Sequence, residues 1–112
     1  VKSQITTHIL DTAAGRPAQG IPVSLQAQTA QGWQEIATGT TDADGRVTDL
    51  GPDRLEAGAY RIEFTTAAWY EAAGTPSFFP SVTLTFNVAG TGEHYHVPLL
   101  LSPFAYSTYR GS

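Results

Sequence analysis

Ser81-Val82-Thr83-Leu84-Thr85-Phe86-Asn87-Val88 puts apolar side chains at every second position. A strand turns successive side chains to opposite faces, so Val82, Leu84, Phe86 and Val88 form one buried face. Val23 to Gln28 shows the same alternation. Ala59 to Phe64 follows it less cleanly, with Tyr60, Ile62 and Phe64 on one side and Arg61 and Glu63 on the other. Turn chemistry separates these stretches at short intervals: Gly15-Arg16-Pro17, Gln31-Gly32, Asp44-Gly45, Gly51-Pro52, Ala57-Gly58 and Gly90-Thr91-Gly92. Short strands with regular turns are the pattern of a sandwich or barrel.

Further strands are expected over Ile5 to Asp11, Trp33 to Thr40, Glu93 to Leu101 and Phe104 to Tyr109, with brief pairing over Arg46 to Thr48. Ala67 to Ala73 holds no β-branched residue and is rich in Ala, so it reads as a two-turn helix. Gly74 caps it and Pro76 prevents its continuation. The expected architecture is all-β: a sandwich of two antiparallel sheets, seven or eight strands, and one short helix near 67–73.

The 112 residues suit a single domain spanning 1–112. The chain has no cysteine, which excludes disulfides, thiolate metal ligands and a thiol nucleophile. Charged residues make up 14% and the formal net charge is −4. That charged fraction is low against roughly 25% for an average soluble chain. The surface is therefore either covered with Ser, Thr and Gln, or covered by other subunits, and we favour the second. No basic patch exists, so nucleic acid is not an expected partner. The longest apolar run, Val97 to Leu101, is far too short to span a membrane. Val1-Lys2-Ser3-Gln4 carries no signal-peptide core and no starting Met, so trimming is expected. A cytoplasmic location is the expectation, or a periplasmic one if a signal segment was removed.

The three histidines, His8, His94 and His96, all fall in expected strands. His94 and His96 share one face, opposite Tyr95 and Val97. If the latter pair faces the core, the histidines face outward, to solvent or to a subunit interface. Three readings stand open. The pair is plain surface polarity; or it joins His8 in an open zinc site, with Asp11 and Glu93 available to orient the rings; or the imidazoles do acid–base work near neutral pH. Arg46 follows the tight turn Asp42 to Gly45 and by itself reads as a solvated turn residue. The C-terminal stretch from Phe104 to Ser112 is aromatic and β-prone almost to its end. It either seals a core edge or lines a site.

His8-Ile9-Leu10-Asp11, Gly15-Arg16-Pro17-Ala18 and Ile21-Pro22-Val23 resemble the N-terminal signature of transthyretin-like proteins. Tyr95-His96-Val97-Pro98-Leu99-Leu100-Leu101-Ser102-Pro103-Phe104 resembles their C-terminal signature. Asp44-Gly45-Arg46 and Phe78-Phe79-Pro80 match between them, so the resemblance covers about Ile5 to Ser112. Ala105 departs from the signature, which has Gly or a similarly small residue there.

The resemblance implies the transthyretin-like (prealbumin-like) sandwich and a homotetramer whose central channel carries the sites. The family has a carrier branch, which binds aromatic ligands, and a hydrolase branch. The hydrolase branch has His in the first strand, Arg after the Asp-Gly turn, His in the Tyr-His-Val-Pro string, and a terminal Tyr-Arg-Gly-Ser. Here these are His8, Arg46, His96 and Tyr109-Arg110-Gly111-Ser112. The implied activity is hydrolysis of 5-hydroxyisourate in urate breakdown, with no cofactor and no resident metal. Implied catalytic residues are His8, Arg46, His96 and Ser112; implied substrate-binding residues are His8, Arg46, Tyr109 and Ser112. His94 has no place in the family motif and stays outside this set.

Overall fold

The computed structural model describes residues 3–111. Nine strands and one helix are present among them: β1 (Ile5–Asp11), β2 (Arg16–Pro17), β3 (Pro22–Thr29), β4 (Gly32–Thr40), β5 (Arg46–Val47), β6 (Gly58–Phe64), α1 (Ala67–Ala72), β7 (Val82–Val88), β8 (Tyr95–Leu101) and β9 (Tyr106–Thr108). One sheet runs β4-β3-β6-β7. The other runs β2-β1-β8-β9, with β5 also pairing to β1.

The all-β sandwich expected from the alternation is the observed one, and the expected helix forms. Two details differ. The extra strand is β2: the Gly15-Arg16-Pro17 turn does end β1, but the chain then folds back onto it, with Leu10 opposite Pro17. The second is direction. The sheets are antiparallel at every pairing but one: β1 and β8 run parallel, Ile5 opposite Tyr95 through Asp11 opposite Leu101. The chain enters β8 from the other sheet, at the end where β1 starts. Tyr95 N–H donates to Gln4 O at 2.9 Å and Gln4 Nε2 donates to Glu93 O at 2.8 Å, which sets that direction and register.

The core lies between the sheets. Ile5 and Ile9 of β1 and Leu99 and Leu101 of β8 pack against Val23, Leu25, Ile62, Phe64 and Val82 of the second sheet. Each fully buried side chain of this size contributes roughly 1.5–3 kcal/mol relative to exposure. Because Ile5, Thr7 and Ile9 occupy the inner face of β1, period two sends Thr6 and His8 to the outer face.

Helix α1 holds only six residues and packs Tyr70 inward. Gly74, at φ +68°, follows it in the left-handed region where a side chain would be strained. Tyr70 is 3% exposed, and its hydroxyl has no hydrogen-bond partner among the described residues. Burial, with a further contribution from the Asp11 charge, pushes its phenol up to about 12. The unfolded chain loses that proton near pH 10, while the folded chain keeps it to about 12. Stability is therefore complete below pH 10 and falls as pH rises toward 12. Tyr70→Phe removes both the unpaired hydroxyl and this titration. It is expected to raise stability by about 1 kcal/mol at neutral pH and to flatten the alkaline decline. Urea denaturation at neutral and alkaline pH measures both; a loss of stability at neutral pH would show that the hydroxyl is satisfied after all.

Candidate active site

The Asp42–Arg46 turn sets one wall of the site. Asp42 Oδ1 accepts the backbone N–H groups of Asp44 and Arg46, each at 2.9 Å. Gly45 sits at φ +73°, and a Cβ there would strike the backbone oxygen of Ile9. Glycine is thus required both by conformation and by the close approach to β1. Gly45 O accepts Ile9 N–H at 2.7 Å, and Arg46 comes to lie opposite His8.

The parallel pairing of β1 and β8 sets the other wall. It places Thr6 beside His96 on the outer face. The Thr6 hydroxyl lies 2.8 Å from His96 Nδ1 and 2.9 Å from His94 Nε2. Thr6 is 4% exposed, so this bridge is held rigidly beneath the two rings. The His8 and His96 ring centroids are 6.5 Å apart.

The C-terminal residues close a third side. Gly111 N–H donates to His96 O at 2.8 Å. A Cβ at Gly111 would stand 2.7 Å from His96 Cδ2, so only glycine lets the tail pass this close to the ring. Arg110 ties the tail down: its guanidinium lies 4.5 Å from the Tyr95 ring centroid and 3.6 Å from Glu93 Oε2. The ion pair is exposed and contributes little by itself; the stacked guanidinium adds about 0.5–1 kcal/mol.

A cavity of about 460 Å³ results, lined by His8, Arg46, Thr48, His96, Tyr109 and neighbouring groups. Four of the five expected site residues, His8, Arg46, His96 and Tyr109, meet there. Ser112, the fifth, lies outside the described residues. His94, which has no place in the family motif, also lines this cavity; it sits just before β8 and not within the expected strand. Thr6 and Thr48 went unmarked in the sequence. Thr6 is two residues before His8 and so shares its face, but its meeting with His96 depends on the parallel register.

Asp11 and Glu93 do not orient the histidines. Asp11 Oδ1 accepts the N–H groups of Ala13 and Ala14, and Glu93 holds the Tyr95 hydroxyl and Arg110. Among the described residues, no group of three or more His, Cys, Asp or Glu side chains is placed to hold a metal ion. His94 Nε2 and His96 Nδ1 both turn to one hydroxyl instead. Ala105 has no positive φ, so the turn it occupies does not require glycine.

A cavity on the outer face of one sheet can position a water between imidazoles and present a fixed cation to developing negative charge. Comparison with known proteins agrees with that chemistry. A 5-hydroxyisourate hydrolase of Salmonella dublin is 46% identical over 109 residues, which are 96% of this chain and 80% of that protein. The solved 5-hydroxyisourate hydrolase of Klebsiella pneumoniae superposes with a TM-score of 0.86 at 38% identity, covering 96% of this chain and 98% of that one. Transthyretin from Sparus aurata superposes with a TM-score of 0.92 at 36% identity, covering 98% and 97%. The backbone therefore superposes on a hydrolase and on a transthyretin alike. The profile of the HIUase/Transthyretin family matches residues 5–111, and this chain belongs to that family.

Proposed function

We infer that this protein is a 5-hydroxyisourate hydrolase, converting its substrate and water to 2-oxo-4-hydroxy-4-carboxy-5-ureidoimidazoline. The observation that carries the reading is the convergence of His8, Arg46 and His96 on one cavity. A carrier of aromatic ligands has no need of a cation and two imidazoles in this arrangement.

Of His8 and His96, His96 is the general base, because the buried Thr6 hydroxyl fixes its ring. Among the described residues the His8 ring makes no hydrogen bond to another side chain, and we assign it to positioning the water and the substrate. Water oxygen attacks a ring carbonyl carbon as His96 takes the proton. The carbonyl π electrons move onto oxygen, where the Arg46 guanidinium stabilises the charge. As the carbonyl reforms, the adjacent C–N bond breaks and the leaving nitrogen takes up the proton. Tyr109 and Ser112 hold the ring from the tail side. No cofactor enters these steps.

The protein acts as one domain within a homotetramer. The cavity opens on a sheet face, Tyr109 on its rim is 58% exposed, and a facing subunit would exclude water there. Strands β7 and β9 each end their sheet and offer edges for pairing.

The test follows decay of freshly generated 5-hydroxyisourate by ultraviolet absorbance, with and without the protein. Accelerated decay that persists in EDTA is expected. A decay rate unchanged by the protein, with binding of an aromatic ligand in its place, supports the carrier function; loss of activity in EDTA supports a metal-dependent reaction.

A further inference from the structure

A hydroxyl has one hydrogen to give. The Thr6 hydroxyl faces two imidazole nitrogens, His94 Nε2 at 2.9 Å and His96 Nδ1 at 2.8 Å. When both rings are neutral, Thr6 donates to one nitrogen and accepts an N–H from the other. The two rings cannot choose their tautomers independently. If Thr6 donates to His94 Nε2, then His96 carries its proton on Nδ1 and a lone pair on Nε2. If Thr6 donates to His96 Nδ1, the proton of His96 is on Nε2, and that ring cannot accept one there.

We propose that Thr6 and His94 form a relay that holds His96 in the Nδ1–H tautomer, so that its Nε2 is the basic atom offered to the attacking water. The proposal rests on the reading of His96 as the general base. Nε2 lies across the ring from the nitrogen that Thr6 binds, and His96 lines the cavity with Arg46 and His8. The relay also suits the reaction as it proceeds. When His96 takes the proton from water, its Nδ1–H continues to donate to Thr6, and nothing behind the ring has to reorganise. In the opposite arrangement the Thr6 hydrogen already occupies the Nδ1 side, and the base would first have to move a proton across the ring. His94 supplies the acceptor that turns the Thr6 hydrogen away from His96. Thr6 and His94 are positioning residues, since they act through His96.

The setting supports a device over a chance contact. Thr6 is nearly fully buried, and the parallel register of β1 and β8 places it directly beside His96. Among the described residues, the titratable and charged groups around the relay are His8 and Arg46 on β1 and β5, Tyr109 on the tail, and Glu93, Tyr95 and Arg110 on the flank.

The experiment labels the three histidines with 15N and reads long-range 1H–15N correlations at a pH where the rings are neutral. Wild type is expected to show His96 as the Nδ1–H form. His94→Phe fills the place of the ring, keeps water from Thr6 and offers no acceptor; His96 should shift toward the Nε2–H form. Its kcat should fall about tenfold while KM holds near the wild-type value. Thr6→Val should lose the tautomer preference and kcat together, and Thr6→Ser should restore both. Should Thr6→Val not fold, His94→Phe and Thr6→Ser carry the test alone, because His94 is exposed and Ser keeps the hydroxyl. An Nε2–H tautomer in wild type overturns the proposal, as does an unchanged tautomer and kcat in His94→Phe. The correlations need no substrate. A protein inactive on 5-hydroxyisourate would therefore refute the function without disturbing the tautomer result, and the reverse also holds.

Discussion

His96→Asn is expected to lower kcat for 5-hydroxyisourate by about 10²–10⁴-fold, the range a positioned general base supplies. Asn places a short amide near the position of Nδ1, so the bond to the buried Thr6 hydroxyl can survive. Gly111 N–H donates to the backbone oxygen of His96, which the substitution leaves in place. The fold and the tail are thus retained while the atom that takes the proton is lost. KM should move far less than kcat, because an interaction made in the transition state is removed. Ultraviolet decay kinetics across substrate concentrations measure both. A variant that raises KM and leaves kcat alone would assign His96 to binding and pass the role of base to His8.

Arg46→Ala is expected to reduce kcat/KM by about 10²-fold, the scale for removing a group that stabilises a developing oxyanion. The guanidinium side chain is exposed, and the turn beneath it is held through backbone groups: Asp42 Oδ1 to Arg46 N–H, and Gly45 O to Ile9 N–H. Truncation should therefore leave unfolding and assembly as they are. Arg46→Lys keeps the charge and loses the planar fork, so it should recover part of the rate. Gly45→Val offers the contrast, since its side chain would strike Ile9 O and displace the whole turn, costing stability as well as activity. Wild-type turnover in Arg46→Ala would remove Arg46 from the mechanism.

Both predictions concern residues legible in the sequence as side chains but not as neighbours. His8, Arg46 and His96 lie on three separate strands, and nothing in the spacing of the chain says that they meet. The resemblance to the transthyretin-like family brought them together before any geometry did. Thr6 shows the limit of that route. As a threonine in a β-favouring stretch it looks like surface filling, and the alternation of Ile5, Thr7 and Ile9 says only that it faces outward with His8. Its place beneath His94 and His96 follows from a parallel pairing, whereas every other pairing in the two sheets is antiparallel. His94 escapes the motif for a related reason: a motif records which residue types recur, not which hydroxyl two rings share. Asp11 and Glu93, the carboxylates available to orient the rings, turn to other partners in space.

Local chemistry decided the elements. Period-two alternation is a property of a few consecutive residues, so β3, β6 and β7 are read directly, and the helix expected over Ala67 to Ala73 from propensity and Gly74 forms over Ala67–Ala72. The identity of the reactive groups, the tight turn at Asp44-Gly45 and the absence of any thiol were likewise settled by composition and order. Tertiary structure alone decided that β1 and β8 run side by side in the same direction, that Arg46 stands opposite His8, and that the tail bends back onto His96. Side-chain direction is dictated by neighbouring bonds, whereas the pairing of distant strands depends on how two whole sheets bury their apolar faces together.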